Sequence, residues 1–186
     1  MRVSKEKAAE NRERILNAAA ALIRERGILG AGVDALTEAA GLTHGSLYSQ
    51  FGSKDRLAAE AFRFASAKAA ENLQEARDLK SYVALYLSRA HRDAPGTGCP
   101  LAALGCEMPR SSEAVKSAFT DGLRRVVHRI SGLIGMGPKR HRDEQALAVV
   151  AAMVGALILS RAVDDPDLAE TILEASRKSL TVSLRD

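Results

Sequence analysis

Residues 41–54 carry the densest set of side chains that could recognise another molecule. They read Gly-Leu-Thr-His-Gly-Ser-Leu-Tyr-Ser-Gln-Phe-Gly-Ser-Lys. At about 100° per residue, Leu47 and Phe51 share one face of a helix, and Gly45 and Ser49 point the opposite way. The exposed face is therefore small and polar. Such a face suits a helix that enters the major groove of DNA, which is about 12 Å wide, with hydroxyls and an imidazole to hydrogen-bond base edges and phosphates.

Glycines and hydroxyl residues predict the helices that position this segment. Apolar residues at spacings of three and four predict a helix over residues 5–26, which Gly27 ends. A second helix over residues 33–40 ends at Gly41. Thr43 caps a third helix over residues 44–51, and Ser53 caps a fourth over residues 54–78. This order predicts a three-helix DNA-binding unit joined directly to a longer helix.

Residues 8–57 resemble the DNA-binding domain of the TetR/AcrR family of repressors. The resemblance rests on Arg14-Ile15-Leu16, Ala39-Ala40-Gly41-Leu42-Thr43, Gly45-Ser46-Leu47-Tyr48 and Phe51-Gly52-Ser53-Lys54. It implies phosphate contacts from Thr43, Tyr48 and Lys54, and positions near base edges for His44, Gly45, Ser46, Ser49 and Gln50. The chain departs from the family pattern at Gly32, which replaces a hydroxyl cap, at His44, which replaces a frequent Lys, and at Gln50.

Each of these residues also has a structural explanation. Thr43 is first a helix cap. Tyr48 could cover the hydrophobic core with its ring, as tyrosines often do. Lys54 could be a solvated surface charge, and His44 could make no contact.

Composition is compatible with a soluble DNA-binding protein. The net charge is +4, but residues 1–56 hold nine Lys or Arg and seven Asp or Glu, so charge alone does not locate a DNA-binding face. Two cysteines are too few for a disulfide framework and suit a reducing cytoplasm. The longest apolar run, residues 146–159, is shorter than the ~20 residues of a membrane span and predicts a buried helix, with no membrane association.

The remainder of the chain is also predicted to be helical, so the fold class is all-α. Further helices are expected over residues 81–91, 99–107, 112–134, 143–163 and 166–184, separated by loops that include residues 94–98 and the basic residues 139–142. The organisation is predicted as a helix-turn-helix domain, residues 1–53, and a helical effector-binding and dimerisation domain, residues 54–186.

The larger domain is expected to contain a ligand pocket and a dimer interface. Pockets form between helices, and the large adaptable side chains predict a lining of Tyr82, Tyr86, Cys99, Met108 and Phe119, unless these residues are simply core. The apolar helix over residues 143–163 carries small residues that allow close helix packing. With the last helix it predicts a homodimer interface of Leu147, Ala151, Val154, Gly155, Ile158, Leu168 and Ile172.

Cys99 and Cys106 allow a second interpretation. On one continuous helix, their spacing of seven would place them about 10 Å apart, too far for a direct disulfide. They could sense oxidants or electrophiles, with Cys99 at a helix start the more reactive, or they could be small buried hydrophobes. A metal site with His91 and Asp93 matches no known ligand spacing, so no metal and no cofactor are expected.

The sequence therefore favours a cytoplasmic repressor that binds palindromic operator DNA as a homodimer and is released by a small-molecule effector. A thiol-sensing repressor is the alternative. A thiol peroxidase would lack a paired base and would leave the helix-turn-helix unexplained, so no enzyme is expected. An architectural DNA binder without an effector remains open.

Overall fold

The computed structural model describes residues 5–135 and 137–182, and all its regular elements are helices, as the all-α prediction requires. Two short 3₁₀ helices, Pro95–Thr97 and Gly105–Arg110, connect the others. The α-helices are α1 Lys5–Gly30, α2 Val33–Ala40, α3 His44–Phe51, α4 Lys54–Asn72, α5 Leu79–Tyr86, α6 Arg89–Asp93, α7 Pro100–Leu104, α8 Glu113–Leu133, α9 Lys139–Ala162 and α10 Pro166–Val182.

The first three helices share an apolar core. Ile15 and Leu36 are buried with Leu47 and Phe51 of α3. Between α2 and α3, Gly41 adopts φ 63° and ψ 39°, a left-handed conformation that suits glycine. This turn sets the angle between the two helices of the helix-turn-helix.

Gly27 bends α1 where the sequence predicted its end. The residue has φ 76° and ψ 164°, and one more helical turn follows it. The Oε2 atom of Glu107 accepts hydrogen bonds from the backbone N–H groups of Ile28 at 2.9 Å and Leu29 at 3.3 Å. The carboxylate thus caps the resumed turn, which explains why the helix continues beyond the glycine.

Several boundaries in the larger domain differ from the sequence predictions. Helix α4 ends at Asn72 rather than at residue 78, because Asp78 forms a capping box with Ser81 and begins α5 there. Ser88 caps α6, which divides the helix predicted over residues 81–91. Helix α9 begins at Lys139, so the predicted basic loop forms its first turn, closed by the bond from Arg142 N to Pro138 O at 3.2 Å. The predicted end of the last helix at Leu184 lies outside the described residues.

Helix α9 is apolar on both sides. Among the described residues, it is the helix long and apolar enough to cross a membrane by length and composition, with a mean hydropathy of 1.8 over an 18-residue window. One face nevertheless packs in the protein core through Val149, Val150, Met153 and Leu157. The opposite face is exposed, with Leu147 and Leu159 among its residues.

Candidate DNA-binding surface and effector cavity

Helix α3 presents a small polar face to solvent. Thr43 caps it, since its Oγ1 atom accepts from the Ser46 backbone N–H at 3.1 Å. Leu47 and Phe51 are buried, whereas the other predicted contact residues of the helix are exposed or, for Ser46, half-buried. A Cβ atom added to Gly45 would meet no atom within 4 Å. Close approach of this backbone to another molecule is therefore unobstructed.

The polar side chains of this face bond mainly to each other. Ser49 Oγ donates to the Ser46 carbonyl at 3.1 Å, and Gln50 Nε2 donates to Ser46 Oγ at 2.9 Å. His44 Nε2 lies 2.7 Å from Asp34 Oδ1 of α2. This carboxylate beside the imidazole was not expected from the sequence. All these contacts are solvent-exposed, so exchanging them for bonds to DNA costs little.

Tyr48 lies within α3, and Lys54 begins the next helix, α4. The Tyr48 side chain is 50% exposed, which is more than a ring that only covers the core would be. Lys54 is the first residue of α4, where the helix dipole disfavours a positive charge. No carboxylate of the described residues lies within ion-pair distance of its ammonium group. The positive charge is therefore available for an external anion.

Two further arginines border α3 and were missed from the sequence. A Cβ atom at Gly41 would lie 3.5 Å from Arg14 Nη1, and one at Gly52 would lie 3.4 Å from Arg56 Nη1. Both guanidinium groups thus cover the glycine turns before and after the recognition helix. Both arginines are exposed to solvent. Their positions depend on how α1 and α4 pack on α3, which no local sequence signal reveals.

A cavity of about 400 Å³ lies between the helices of the larger domain. Helix α4 and its C-cap residue contribute the stripe Ser66, Ala69, Ala70 and Leu73, and α8 contributes Gly122, Arg125, Val126 and Arg129. Both stripes have the i, i+3, i+4, i+7 spacing of one helical face. Because most of these side chains are small, the helices leave a hollow between them. Helix α5 and residues 90–101 close the remaining sides.

Three of the five residues predicted from the sequence line this cavity. They are Tyr82, Tyr86 and Cys99. Met108 and Phe119 do not line it. Met108 is 8% exposed in the core, and the Phe119 ring packs on Phe62 with 5.6 Å between centroids. The large side chains fill the core, whereas the small ones create the space.

The Tyr86 hydroxyl is a buried polar group beside the cavity. Tyr86 is 2% exposed, and its hydroxyl, which lies near the Cys99 thiol, has no nitrogen or oxygen partner among the described residues. Burial, and secondarily the nearby Cys99 thiol, raise the pKa of the Tyr86 phenol well above its ordinary value. The hydroxyl therefore keeps its proton and can donate a hydrogen bond to a ligand.

His91 holds the cavity wall together in its neutral form. Its Nδ1 atom lies 2.6 Å from the Tyr86 carbonyl oxygen, and its Nε2 atom accepts from the Cys99 N–H at 2.9 Å. Burial lowers the pKa of His91, and the positive charge of Arg161 lowers it further. The hydrogen bond to the Tyr86 carbonyl acts in the opposite direction. A Cβ atom at Gly98 would come 2.8 Å from the imidazole, which explains the glycine there.

The cavity wall is bonded directly to the DNA-binding unit. The side chain of Arg24 in α1 is buried, and its Nη1 atom donates to the Gly98 carbonyl at 3.1 Å. Glu107, which follows α7, caps the last turn of α1. Two points of the segment around α7 are therefore attached to the helix that supports α3.

An exposed apolar surface covers one side of α9 and α10. All seven residues predicted for the dimer interface are exposed or half-buried in the protomer, and Leu147, Leu159 and Leu168 are 49%, 56% and 46% exposed. A Cβ atom at Gly155 would meet nothing within 4 Å. The glycine therefore has no packing function within one chain.

The two cysteines lie in different environments. Cys99 is 6% exposed and precedes α7, whereas Cys106 is exposed in the following 3₁₀ helix. The two residues are thus not on one continuous α-helix. Within residues 5–135 and 137–182, no three His, Cys, Asp or Glu side chains are grouped as metal ligands.

Comparison with known proteins gives the class of this fold. Residues 15–61 match the family model described as bacterial regulatory proteins, tetR family. A TetR transcriptional regulator from Chloroflexus aurantiacus superposes with a TM-score of 0.79 at 24% identity, covering 97% of each chain. A TetR-family regulator from Cytophaga hutchinsonii gives 0.77 at 22% identity, also covering 97% of each chain. Reduced E. coli NemR gives 0.74 at 22% identity, covering 92% of this chain and 95% of that one. Among curated proteins, none matches significantly.

Residues 15–61 thus match the DNA-binding domain of tetR-family regulatory proteins, and the chain as a whole has the all-α fold of the solved TetR-family regulators. The family resemblance noted in the sequence is confirmed.

Proposed function

We propose that the protein is a repressor that binds palindromic operator DNA as a homodimer and is released when a small molecule enters the cavity. The observation that carries this proposal is the bond between Arg24 of α1 and the carbonyl of Gly98, because Gly98 also lines the cavity. A ligand that displaces this wall acts on the helix that supports the recognition helix. Operator DNA in a bacterial cell is cytoplasmic, and so is its repressor.

The DNA contacts follow from the exposed face of α3. His44, Gly45, Ser46, Ser49 and Gln50 would lie in the major groove. Phosphates would be bound by the residues that flank this face, namely Thr43, Tyr48, Lys54, Arg14 and Arg56. Lys54 supports this assignment best, because a lysine at a helix N-terminus without a carboxylate partner gains stabilisation only from an external anion.

The homodimer would bury the exposed apolar surface of α9 and α10. A glycine within a helix costs about 1 kcal/mol relative to alanine. Gly155 incurs this cost with no packing contact in its own protomer. Close approach of a partner helix at Gly155 explains both the glycine and the exposed leucines around it. Burial against a second copy also accounts for the apolar character of α9 without a membrane.

Selection from randomised duplex DNA tests the proposed function. A symmetric dimer should select an inverted repeat whose half-sites are separated by about 34 Å or a multiple of it, one helical turn of DNA. Variants Ser49→Ala and His44→Ala should alter the consensus, while Lys178→Ala on α10 serves as the control. A selection that returns no sequence preference would remove the repressor function.

A thiol-sensing repressor is the second candidate, and the position of Cys99 favours it. This cysteine lines the cavity, so an electrophile that enters could reach its sulfur. The exposed Cys106 is accessible from solvent. Arg24 and Arg161 also interact electrostatically with the Cys99 thiol. Against this candidate, the histidine bonded to the Cys99 backbone is held neutral and adds no positive charge of its own, and Cys99 is only 6% exposed. We therefore place reversible ligand binding first.

A further inference from the structure

Two arginines of the cavity lack a carboxylate partner. Arg129 Nη2 donates to the Ala76 carbonyl at 2.7 Å, and Arg125 Nε donates to the Asp121 carbonyl at 3.4 Å. Neither lies within ion-pair distance of an acidic side chain in the described part of the chain, whereas Arg124 on the same helix pairs with Asp121 at 3.7 Å. Carbonyl oxygens orient the two guanidinium groups but do not neutralise them.

The lining of the cavity contains no acidic side chain among the described residues. Its histidine, His91, is neutral because both ring nitrogens are engaged and burial lowers its pKa. The formal charge of the lining is therefore positive and comes from Arg125 and Arg129 alone. Low-dielectric walls concentrate the field of such charges within a cleft. The cavity should attract anions and reject cations.

Hydroxyl donors stand beside these charges. Arg129 acts electrostatically on the Tyr82 phenol, where it partly opposes the rise in pKa that burial causes. Tyr82 therefore remains a protonated donor near a guanidinium group. The hydroxyls of Tyr86 and Ser66, which also line the cavity, are buried without nitrogen or oxygen partners in the described part of the chain. Guanidinium and hydroxyl donors together match the acceptor oxygens of a carboxylate.

Apart from Asn72, Gln74 and Thr97, the rest of the lining is apolar, and the cavity is limited in volume. Leu73, Leu85, Leu101 and Val126 provide most of its large side chains. A volume of about 400 Å³ lies near the lower end of the ~300–1,000 Å³ typical of small-molecule sites. Both arginines are exposed to solvent, so they lie towards the open side of the cavity. An entering anion would meet them before its hydrocarbon part reached the buried wall.

We propose that the cavity binds a compact, mainly apolar carboxylic acid as its anion, with the carboxylate against Arg125, Arg129 and Tyr82 and the hydrocarbon part towards Leu73 and Leu101. This assignment rests on the proposed function, because it identifies the effector class of the same regulator. It makes no use of DNA, however, and can be tested without it.

Isothermal titration calorimetry on the full chain without DNA provides the test. The probes are octanoate, octanamide and octylamine, together with naphthylacetate, its amide and naphthylethylamine. Within each set only the charge of the head group changes substantially. We expect each carboxylate to bind about tenfold or more tightly than its amide, since hydrogen bonds to charged groups are the stronger ones. The amine should bind most weakly.

Single-arginine variants test which guanidinium group binds the carboxylate. Arg129→Gln should weaken carboxylate binding about tenfold or more and change amide binding by less than about threefold, while Arg129→Lys should restore part of the loss. Arg124→Gln removes a neighbouring guanidinium outside the cavity and should have no effect. The melting temperature of each ligand-free variant checks that the fold is intact.

The assignment would be overturned if the carboxylates of both probe sets failed to bind, or if the amides or amines bound as tightly as the carboxylates. It would also be overturned if Arg124→Gln and Arg129→Gln weakened carboxylate binding equally. Failure of the proposed function would look different. The carboxylates would then bind as expected, but the protein would select no operator from randomised DNA.

Discussion

Replacing Lys54 by alanine tests the DNA-binding surface most quantitatively. Each phosphate neutralised by a cation releases counterions, so the logarithm of the binding constant changes with the logarithm of salt concentration by about −0.9 per contact. A dimer presents two copies of Lys54, and Lys54→Ala should therefore reduce the magnitude of the slope by about 1.8. Between 50 and 200 mM salt, a fourfold change, the affinity difference between wild type and variant should shrink about twelvefold.

Fluorescence anisotropy with a labelled operator, measured across this salt range, gives both slopes. Alanine at the first position of α4 removes an unfavourable charge from the helix N-terminus, so the variant should remain folded. Lys178→Ala is the matched control, because it removes the same charge from an 80% exposed side chain on α10. An unchanged slope in Lys54→Ala, or an equal change in the control, would show that Lys54 does not contact phosphate.

Three further perturbations test the dimer, the cavity wall and the cysteines. A leucine at position 155 would meet no atom near its Cβ within its own protomer, so Gly155→Leu should fold. Sedimentation should show a monomer, and this monomer should no longer bind operator DNA. A stable dimer would place the interface elsewhere. Because His91 is neutral when folded but protonates in the unfolded chain below about pH 6.5, the free energy of unfolding should fall as the pH drops below that value. Urea titrations of His91→Gln should show no such fall in the free energy of unfolding. An equal fall in this variant would mean that another titratable group causes it. The double variant Cys99→Ser, Cys106→Ser should still release operator DNA with a reversible ligand, whereas loss of every response would favour thiol sensing.

The helix-turn-helix was predictable because its signals are local. Gly41, Thr43 and Ser53 each act on the backbone within a few residues, and all three stand at the helix ends predicted for them from the sequence. The resemblance to the TetR/AcrR family extends over the same segment. The sequence thus contained enough information to predict the fold class and the recognition helix.

The cavity was only partly predictable because it depends on packing between helices distant in sequence. Large side chains were selected as its lining, yet the hollow is lined by small residues of two helices, such as Ser66 of α4, which faces Gly122 of α8. The end of α4 at Asn72 is another example. Residues 73–78 suit a helix, but Asp78 caps the next helix and Arg129 holds the Ala76 carbonyl at 2.7 Å. Such contacts between helices leave no periodic pattern in the sequence.

Operator affinity measured with and without a ligand in the cavity tests the central claim most directly. The ligand is whichever carboxylate binds most tightly in calorimetry. Arg24→Met serves as the comparison, because methionine cannot donate the hydrogen bond to Gly98 but still fills the space with an unbranched apolar side chain. The account predicts that saturating ligand weakens wild-type operator binding by about fivefold to 150-fold, the usual range of allosteric coupling, and weakens Arg24→Met binding much less. Equal wild-type affinity with and without the bound ligand would contradict it.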